Sequence, residues 1–232
     1  MPGIAENLST VSARIEAAGR KCGRNGAHVR LLAVSKTWPA ASVREAFAAG
    51  QCAFGENYVQ EAVEKIAELA DLPLEWHFIG PIQSNKTRLI ANHFAWVHSV
   101  DRLRIAQRLS EQRDVHLPPL KLCLQVNVSG EESKSGVAPD ALLALASEVA
   151  RLPRIVLAGL MCIPEPSPDE ALLRSRFHQL VELRDGLRRT LDLPLEMLSM
   201  GMSDDLELAV AEGSSMVRVG SAIFGVRTKS AI

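Results

Sequence analysis

No stretch of this sequence is densely basic. Its 26 lysines and arginines are set against 27 aspartates and glutamates, a formal net charge of -1. That balance offers no electrostatic footprint for nucleic acid. The four cysteines, Cys22, Cys52, Cys123 and Cys162, form no C-x-x-C pair, which removes zinc-ribbon and redox-motif chemistry. Three of them, Cys52, Cys123 and Cys162, lie in apolar runs and read as buried free thiols. No apolar run reaches the length of a membrane span. The start, Met1-Pro2-Gly3-Ile4-Ala5-Glu6, lacks a basic opening followed by an apolar stretch and does not read as a signal peptide. The expectation is a cytoplasmic chain with neither nucleic acid nor membrane as partner. There is a single tyrosine, Tyr58.

What the sequence does have is alternation. A helical spacing of apolar residues, Leu8, Val11, Ile15 and Ala18, predicts a helix over about 4–22. Strand-like runs follow at 31–34, 52–54, 75–79, 96–100, 121–128, 155–162, 195–200 and 216–219. Helical patterns lie between them at 42–49, 58–69, 85–91, 103–112, 139–150, 170–190 and 206–211. Asp101 is placed to cap the helix over 103–112. Strands alternating with helices imply a parallel sheet with right-handed crossovers. Eight such units in 232 residues, 47% of them hydrophobic, predict one α/β domain, a closed (β/α)8 TIM barrel over about 29–226 preceded by the extra helix. The alternative is an open doubly wound sheet. It usually carries G-x-G-x-x-G after its first strand, where this chain has Ser35-Lys36-Thr37-Trp38-Pro39. A complete one-domain barrel needs no partner, so a monomer is expected.

Chemistry in such barrels sits at the carboxyl ends of the strands. Read in order, those ends offer Ser35-Lys36, Gly55-Glu56-Asn57, His77 with Gly80, His98-Ser99, Asn127, Met161-Cys162, Ser199 to Ser203, and Arg218 to Ser221. Lys36 is the most informative. A lysine at the mouth of a core is partly desolvated, which lowers an amine pKa and makes a nucleophile able to form a Schiff base. An isolated strand-end lysine more often extends its ammonium to solvent. Here the company it keeps decides otherwise.

Two late segments read as anion binders. Ser199-Met200-Gly201-Met202-Ser203 combines hydroxyls with a glycine that permits close backbone approach. Gly220 and Ser221 follow the eighth strand, and loops after strands seven and eight frequently hold phosphate. Taken singly, Ser203 reads equally as a helix cap and Gly220 as a tight turn. Asp204 and Asp205 would repel a phosphate they faced and are expected to point away. Arg218 sits between Val217 and Val219, so its side chain lies on the opposite face from theirs. Two fates are equally open to it, donation to a ring nitrogen in the barrel interior or a salt bridge to a carboxylate such as Glu56. A strand-end lysine, a phosphate cradle and a cationic donor are together what pyridoxal 5'-phosphate requires.

The run Trp76-His77-Phe78-Ile79-Gly80-Pro81-Ile82-Gln83-Ser84-Asn85-Lys86, with Val34-Ser35-Lys36-Thr37 and Phe54-Gly55-Glu56-Asn57-Tyr58, resembles the pyridoxal phosphate homeostasis protein family. The two late motifs fit, as does the loop 127–136 with Glu131 and Lys134; the likeness runs from about residue 31 to 225. It implies a barrel like the N-terminal one of alanine racemases and Lys36 carrying the cofactor as an internal aldimine. It also implies a role in vitamin B6 and amino-acid homeostasis without established turnover. The cofactor-binding set expected on this reading is Lys36, Asn57, His77, Ser199, Met200, Gly201, Ser203, Arg218, Gly220 and Ser221, with no metal. Amino acids, as external aldimines, and cofactor-free enzymes, as recipients, are the candidate partners.

A carrier or regulator and a fold-type III enzyme such as an amino-acid racemase are the competing readings. A two-base racemase needs an acid/base on the cofactor face opposite the lysine. In related racemases another domain supplies a tyrosine there. Tyr58 reads better as a packing or capping residue, and His77 as a loop-fixing one. A guanidinium at Arg218 stays protonated, so a ring nitrogen facing it is unprotonated and the ring is a weaker electron sink. These points favour the carrier.

Overall fold

The structure, a computed structural model, describes residues 3–24, 28–130 and 135–225. Glu131 and Lys134 lie outside the described residues. Eight parallel strands close a barrel in chain order, with β8 returning to β1. They are β1 (Arg30–Val34), β2 (Ala53–Glu56), β3 (Glu75–Phe78), β4 (Trp96–Val100), β5 (Leu120–Gln125), β6 (Ile155–Met161), β7 (Met197–Ser199) and β8 (Met216–Val219). The helices around them are α1 (Ile4–Lys21), α2 (Ala40–Ala48), α3 (Val59–Glu68), α4 (Thr87–His93), α5 (Leu103–Gln112), α6 (Leu142–Val149), α7 (Glu170–Leu191), α8 (Leu206–Ala211) and α9 (Ser221–Phe224). The expected fold is the observed one.

Strand alternation divides the buried residues into two populations. Leu32, Ala53, Trp96, Cys123, Met161, Met197 and Met216 form one cluster that draws a single residue from each of seven strands and fills the barrel. A larger one, including Phe54, Phe78, Val97, Leu122, Leu160, Leu198 and Val217, points outward against the helices. The parity that sends Leu32 inward also sends Arg30 inward, at the amino end of β1.

The additional helix α1 packs across α8 and α9. Arg14 donates to the Ser203 carbonyl at 2.9 Å and pairs with Glu207 at 2.7 Å. Asn7 donates to the Ile223 carbonyl at 2.8 Å. The first helix thereby grips the β7–α8 loop and the α9 turn that follow the last two strands.

Three local expectations fail. Cys52 is exposed, because it precedes β2 rather than lying within it. Asp101 does not cap α5; Arg102 holds the N-cap position and pairs with the Asp101 carboxylate at 2.7 Å. The segment after β8 is a helical turn, α9, in place of an open loop.

Candidate cofactor site

Lys36 is two residues beyond β1, and both sides of it are clamped. Ser35 donates from its backbone to Gly55 O at 3.0 Å and from its hydroxyl to Glu56 Oε1 at 2.7 Å. The buried Lys65 ammonium of α3 donates to Ser35 O at 2.9 Å, Glu56 Oε1 at 2.6 Å and Glu61 Oε1 at 3.0 Å. On the other side Thr37 sits at φ +64°, a left-handed conformation costly for a β-branched residue. Its N–H donates to Glu61 Oε1 at 2.5 Å. Three charges from β2 and α3 therefore fix the backbone that presents Lys36. Burial pushes the Glu56 carboxyl above its usual range, and Lys65 pulls against that. Removing one partner of such a buried pair typically costs about 3–5 kcal/mol.

Across the mouth lie the other candidates. Gly201 has φ +93°, and a Cβ there would stand 2.5 Å from Ala209 Cβ. Its carbonyl accepts from Arg218 N at 2.9 Å, which ties the β7–α8 loop to β8. The Ser203 and Ser221 hydroxyls meet at 3.1 Å. Ser203 is not a cap, since Asp205 occupies the N-cap position of α8. Asp205 turns back to accept from Met202 N at 2.5 Å, and Asp204 is exposed. Gly220 packs against Val34 at the end of β1. Met200 is spent on the fold: its side chain is buried in the outer core, its N–H donates to Met216 O at 3.1 Å and its carbonyl accepts from Ser214 Oγ at 2.8 Å. Asn57 follows β2, and its buried Oδ1 has no hydrogen-bond partner among the described residues.

Arg218 faces the barrel interior and is buried. It donates to Ser199 O at 2.6 Å, Ser199 Oγ at 2.8 Å and Cys162 O at 2.9 Å. The salt bridge to Glu56 is absent, because Glu56 points outward to Lys65. The guanidinium thus meets three neutral oxygens around the carboxyl ends of β6 and β7.

His77 stands apart from this group. It lies inside β3, fully buried, stacked on Trp96 with ring centroids 5.5 Å apart. Its Nδ1 meets His98 Nε2 at 2.9 Å and its Nε2 meets Glu75 Oε1 at 2.8 Å. Both ring nitrogens are engaged within the barrel, which turns His77 from the mouth. Glu61 and Lys65 went unread in the sequence; their i,i+4 spacing on α3 was the available signal. Among the described residues no group of His, Cys, Asp and Glu could hold a metal ion, and no helix is long and apolar enough to cross a membrane.

Residues 7–228 match the family described as "Alanine racemase, N-terminal domain". The chain is 63% identical over 227 residues to a pyridoxal phosphate homeostasis protein of Pseudomonas aeruginosa, covering 98% of this chain and 97% of that one. It is 52% identical over 233 residues to the Escherichia coli K12 protein of the same name, with 99% of both chains covered.

The chain belongs to the pyridoxal phosphate homeostasis protein family.

Solved structures share the fold. PipY of Synechococcus elongatus PCC7942, solved with PLP bound, superposes with a TM-score of 0.85 at 42% identity, over 96% of this chain and 100% of that one. An alanine racemase from Corynebacterium glutamicum, at 16% identity and TM-score 0.70, covers 97% of this chain and 63% of its own, and shares the fold.

Proposed function

We propose that this protein binds pyridoxal 5'-phosphate covalently through Lys36 and acts in the cytoplasm, as a monomer, as a carrier or regulator in vitamin B6 and amino-acid homeostasis. The observation that carries the reading is a lysine just beyond the carboxyl end of β1, its flanking residues clamped by Glu56, Glu61 and Lys65, at the same end of the barrel as a pair of hydroxyls. A Schiff base between the lysine amine and the cofactor aldehyde is the chemistry such a group supplies. Ser203 and Ser221 have the donors to hold its phosphate, with Gly201 and Gly220 leaving backbone room. The unpartnered Asn57 oxygen is a polar group for a ligand to satisfy. Arg218 offers a donor to a ring nitrogen. The 42% identical PipY, solved with PLP bound, supports the assignment.

The same geometry argues for holding rather than turnover. Tyr58 is 52% exposed at the start of α3 and His77 is engaged elsewhere. The two residues that could serve as an opposite-face base are therefore poorly placed to do so. Amino acids and cofactor-free enzymes are the partners this reading implies.

Wild-type protein loaded with PLP should show the visible absorbance of a protein Schiff base and a borohydride-reducible adduct. Lys36→Ala should lose both while keeping its fold; an adduct persisting on the variant would reassign the lysine. Turnover is tested separately, by NMR of α-proton exchange in deuterated water with alanine and other amino acids. Exchange should be no faster than with free cofactor. Rates of about 1–10³ s⁻¹, typical of enzymes, lost in Lys36→Ala would establish a racemase-like enzyme instead.

A further inference from the structure

The barrel interior holds a line of polar side chains that the site does not explain. It begins at the amino end of β3, where Glu75 pairs with the half-exposed Arg30 of β1. It continues through His77, His98 of β4 and Ser199 of β7, where His98 Nδ1 meets Ser199 Oγ at 2.8 Å. It ends on Arg218 of β8, which donates to that hydroxyl at 2.8 Å. Four strands, β3, β4, β7 and β8, supply the links, and the His98–Ser199 step spans 101 residues of sequence.

The direction of these bonds is determined. Glu75 is ionised, drawn down to about 2 by the hydrogen bond from His77, so it can only accept. His77 therefore carries its proton on Nε2. Burial disfavours the charged form of both rings. A neutral His77 must then accept at Nδ1, so His98 carries its proton on Nε2 and accepts at Nδ1. The Ser199 hydroxyl donates to it, and its oxygen takes the proton that Arg218 offers. Every bond is donated away from Arg218 and toward Glu75. Among the described residues Arg218 pairs with no carboxylate; the chain gives its buried charge an oriented path to one.

We infer that Glu75, His77 and His98 are positioning residues for Arg218, forming a one-way hydrogen-bond chain through the barrel that holds the guanidinium as a fixed donor toward the cofactor site. This rests on the reading that Arg218 faces the ring of the cofactor. The charged groups bearing on the chain are Arg30 from β1, Glu75 from β3, Lys121 from β5, whose ammonium lies 4.9 Å from the Trp96 ring centroid, and Arg218 from β8. A proton added to His77 would reverse the chain beyond it. His98 would then receive at Nε2 and donate from Nδ1 to Ser199, whose oxygen would accept from both His98 and Arg218 and whose own proton would lose its acceptor.

Two measurements test this. The first is nitrogen–proton correlation NMR of the cofactor-free protein at pH 7, which reads histidine tautomers directly. Both His77 and His98 should be neutral with the proton on Nε2. Glu75→Gln, whose amide oxygen still accepts, should keep both tautomers, and Glu75→Leu should lose them. A His98 protonated on Nδ1, or a Glu75→Leu spectrum like wild type, would overturn the chain. The second is the visible absorption maximum of bound PLP across pH 6–8. His98→Leu should shift it and weaken binding roughly tenfold, the scale of one hydrogen bond to a charged group. Glu75→Gln should stay near wild type. A purely structural role would lower thermal stability and leave the spectrum in place, which would overturn the inference. Arg218→Lys separates the two layers. If it leaves the spectrum unmoved, the placing of Arg218 at the ring falls, and the chain's role with it, whatever the tautomers are. If the tautomers differ from those stated, the chain falls whatever Arg218 does.

Discussion

At the scale of single residues, the hydroxyl pair gives the sharpest division of labour. Ser203, in the loop after β7, and Ser221, the first residue of α9, have hydroxyls 3.1 Å apart. Neither is consumed by a helix cap. Ser203→Ala should therefore weaken binding of pyridoxal phosphate by about 1.5–3 kcal/mol, the range for a hydrogen bond to a charged group. Binding of unphosphorylated pyridoxal should hardly change. Titration with both ligands checks this, and equal losses would remove Ser203 from the phosphate site. Met200 is spent on the core and the barrel's own hydrogen bonds, and Gly201 has only backbone to offer. That distinction is invisible in a linear motif, where all five residues from Ser199 to Ser203 look alike. His77 is the reverse case. It belongs to the most specific run of the sequence, yet its contacts are set by closure. Its partner His98 is held by Ser199, 101 residues further on. The i,i+2 pairs Glu75/His77 and Trp96/His98 were the available signal, since each places two polar or aromatic groups on one strand face.

At the scale of elements, legibility follows local physics. β4, β8, α5 and α8 occupy the spans that apolar periodicity predicts, because each is bounded by polar or turn residues. β7 is shorter than its apolar run. Leu195 adopts φ +37°, so the ladder cannot begin before Met197. β2 extends further than its apolar run because Glu56 is buried by Lys65 from α3, a compensation made by tertiary contact. α7 shows the clearest start signal. Asp169 accepts from Ala171 N at 2.9 Å and Leu172 N at 3.2 Å. Asp169→Ala should cost about 1 kcal/mol of unfolding free energy, the usual worth of an N-cap. Chemical denaturation should show a lower midpoint at unchanged slope. Loss of cofactor binding as well would mean that α7 is coupled to the mouth.

At the scale of the whole molecule, the buried histidines set the response to acid. Burial, first of all, lowers the pKa of both His77 and His98 from the ordinary 6.5. The unfolded chain takes up protons near that value while the folded chain resists them. Their contribution to stability is thus complete above about pH 6.5 and is lost as pH falls toward the folded values. Glu75, held at about 2, adds a further loss below its ordinary 4.5. Glu56 and Asp205, raised mainly by burial, act in the opposite sense across the carboxylate range. Between pH 7 and 5 the histidines dominate. The melting temperature should fall over that interval, and a His77→Gln, His98→Gln variant should show a flatter profile. Equal slopes for both proteins would place the acid sensitivity elsewhere.

The grip of α1 on the far end of the chain also has a consequence in time. Arg14 and Asn7 hold carbonyls 189 and 216 residues away, and β1 finds its second neighbour only in β8, through Arg30 opposite Met216. A ribosome delivers these partners at opposite ends of synthesis. Until α8, β8 and α9 emerge, the first helix has only α2 and the first strand only β2 to pack against, and β1 and β7 present open edges. The hydroxyls of Ser203 and Ser221 have no fixed spacing in such a chain. If those hydroxyls hold the phosphate as proposed, cofactor loading waits for the finished polypeptide, and a chain stalled before residue 216 is left as an unclosed sheet.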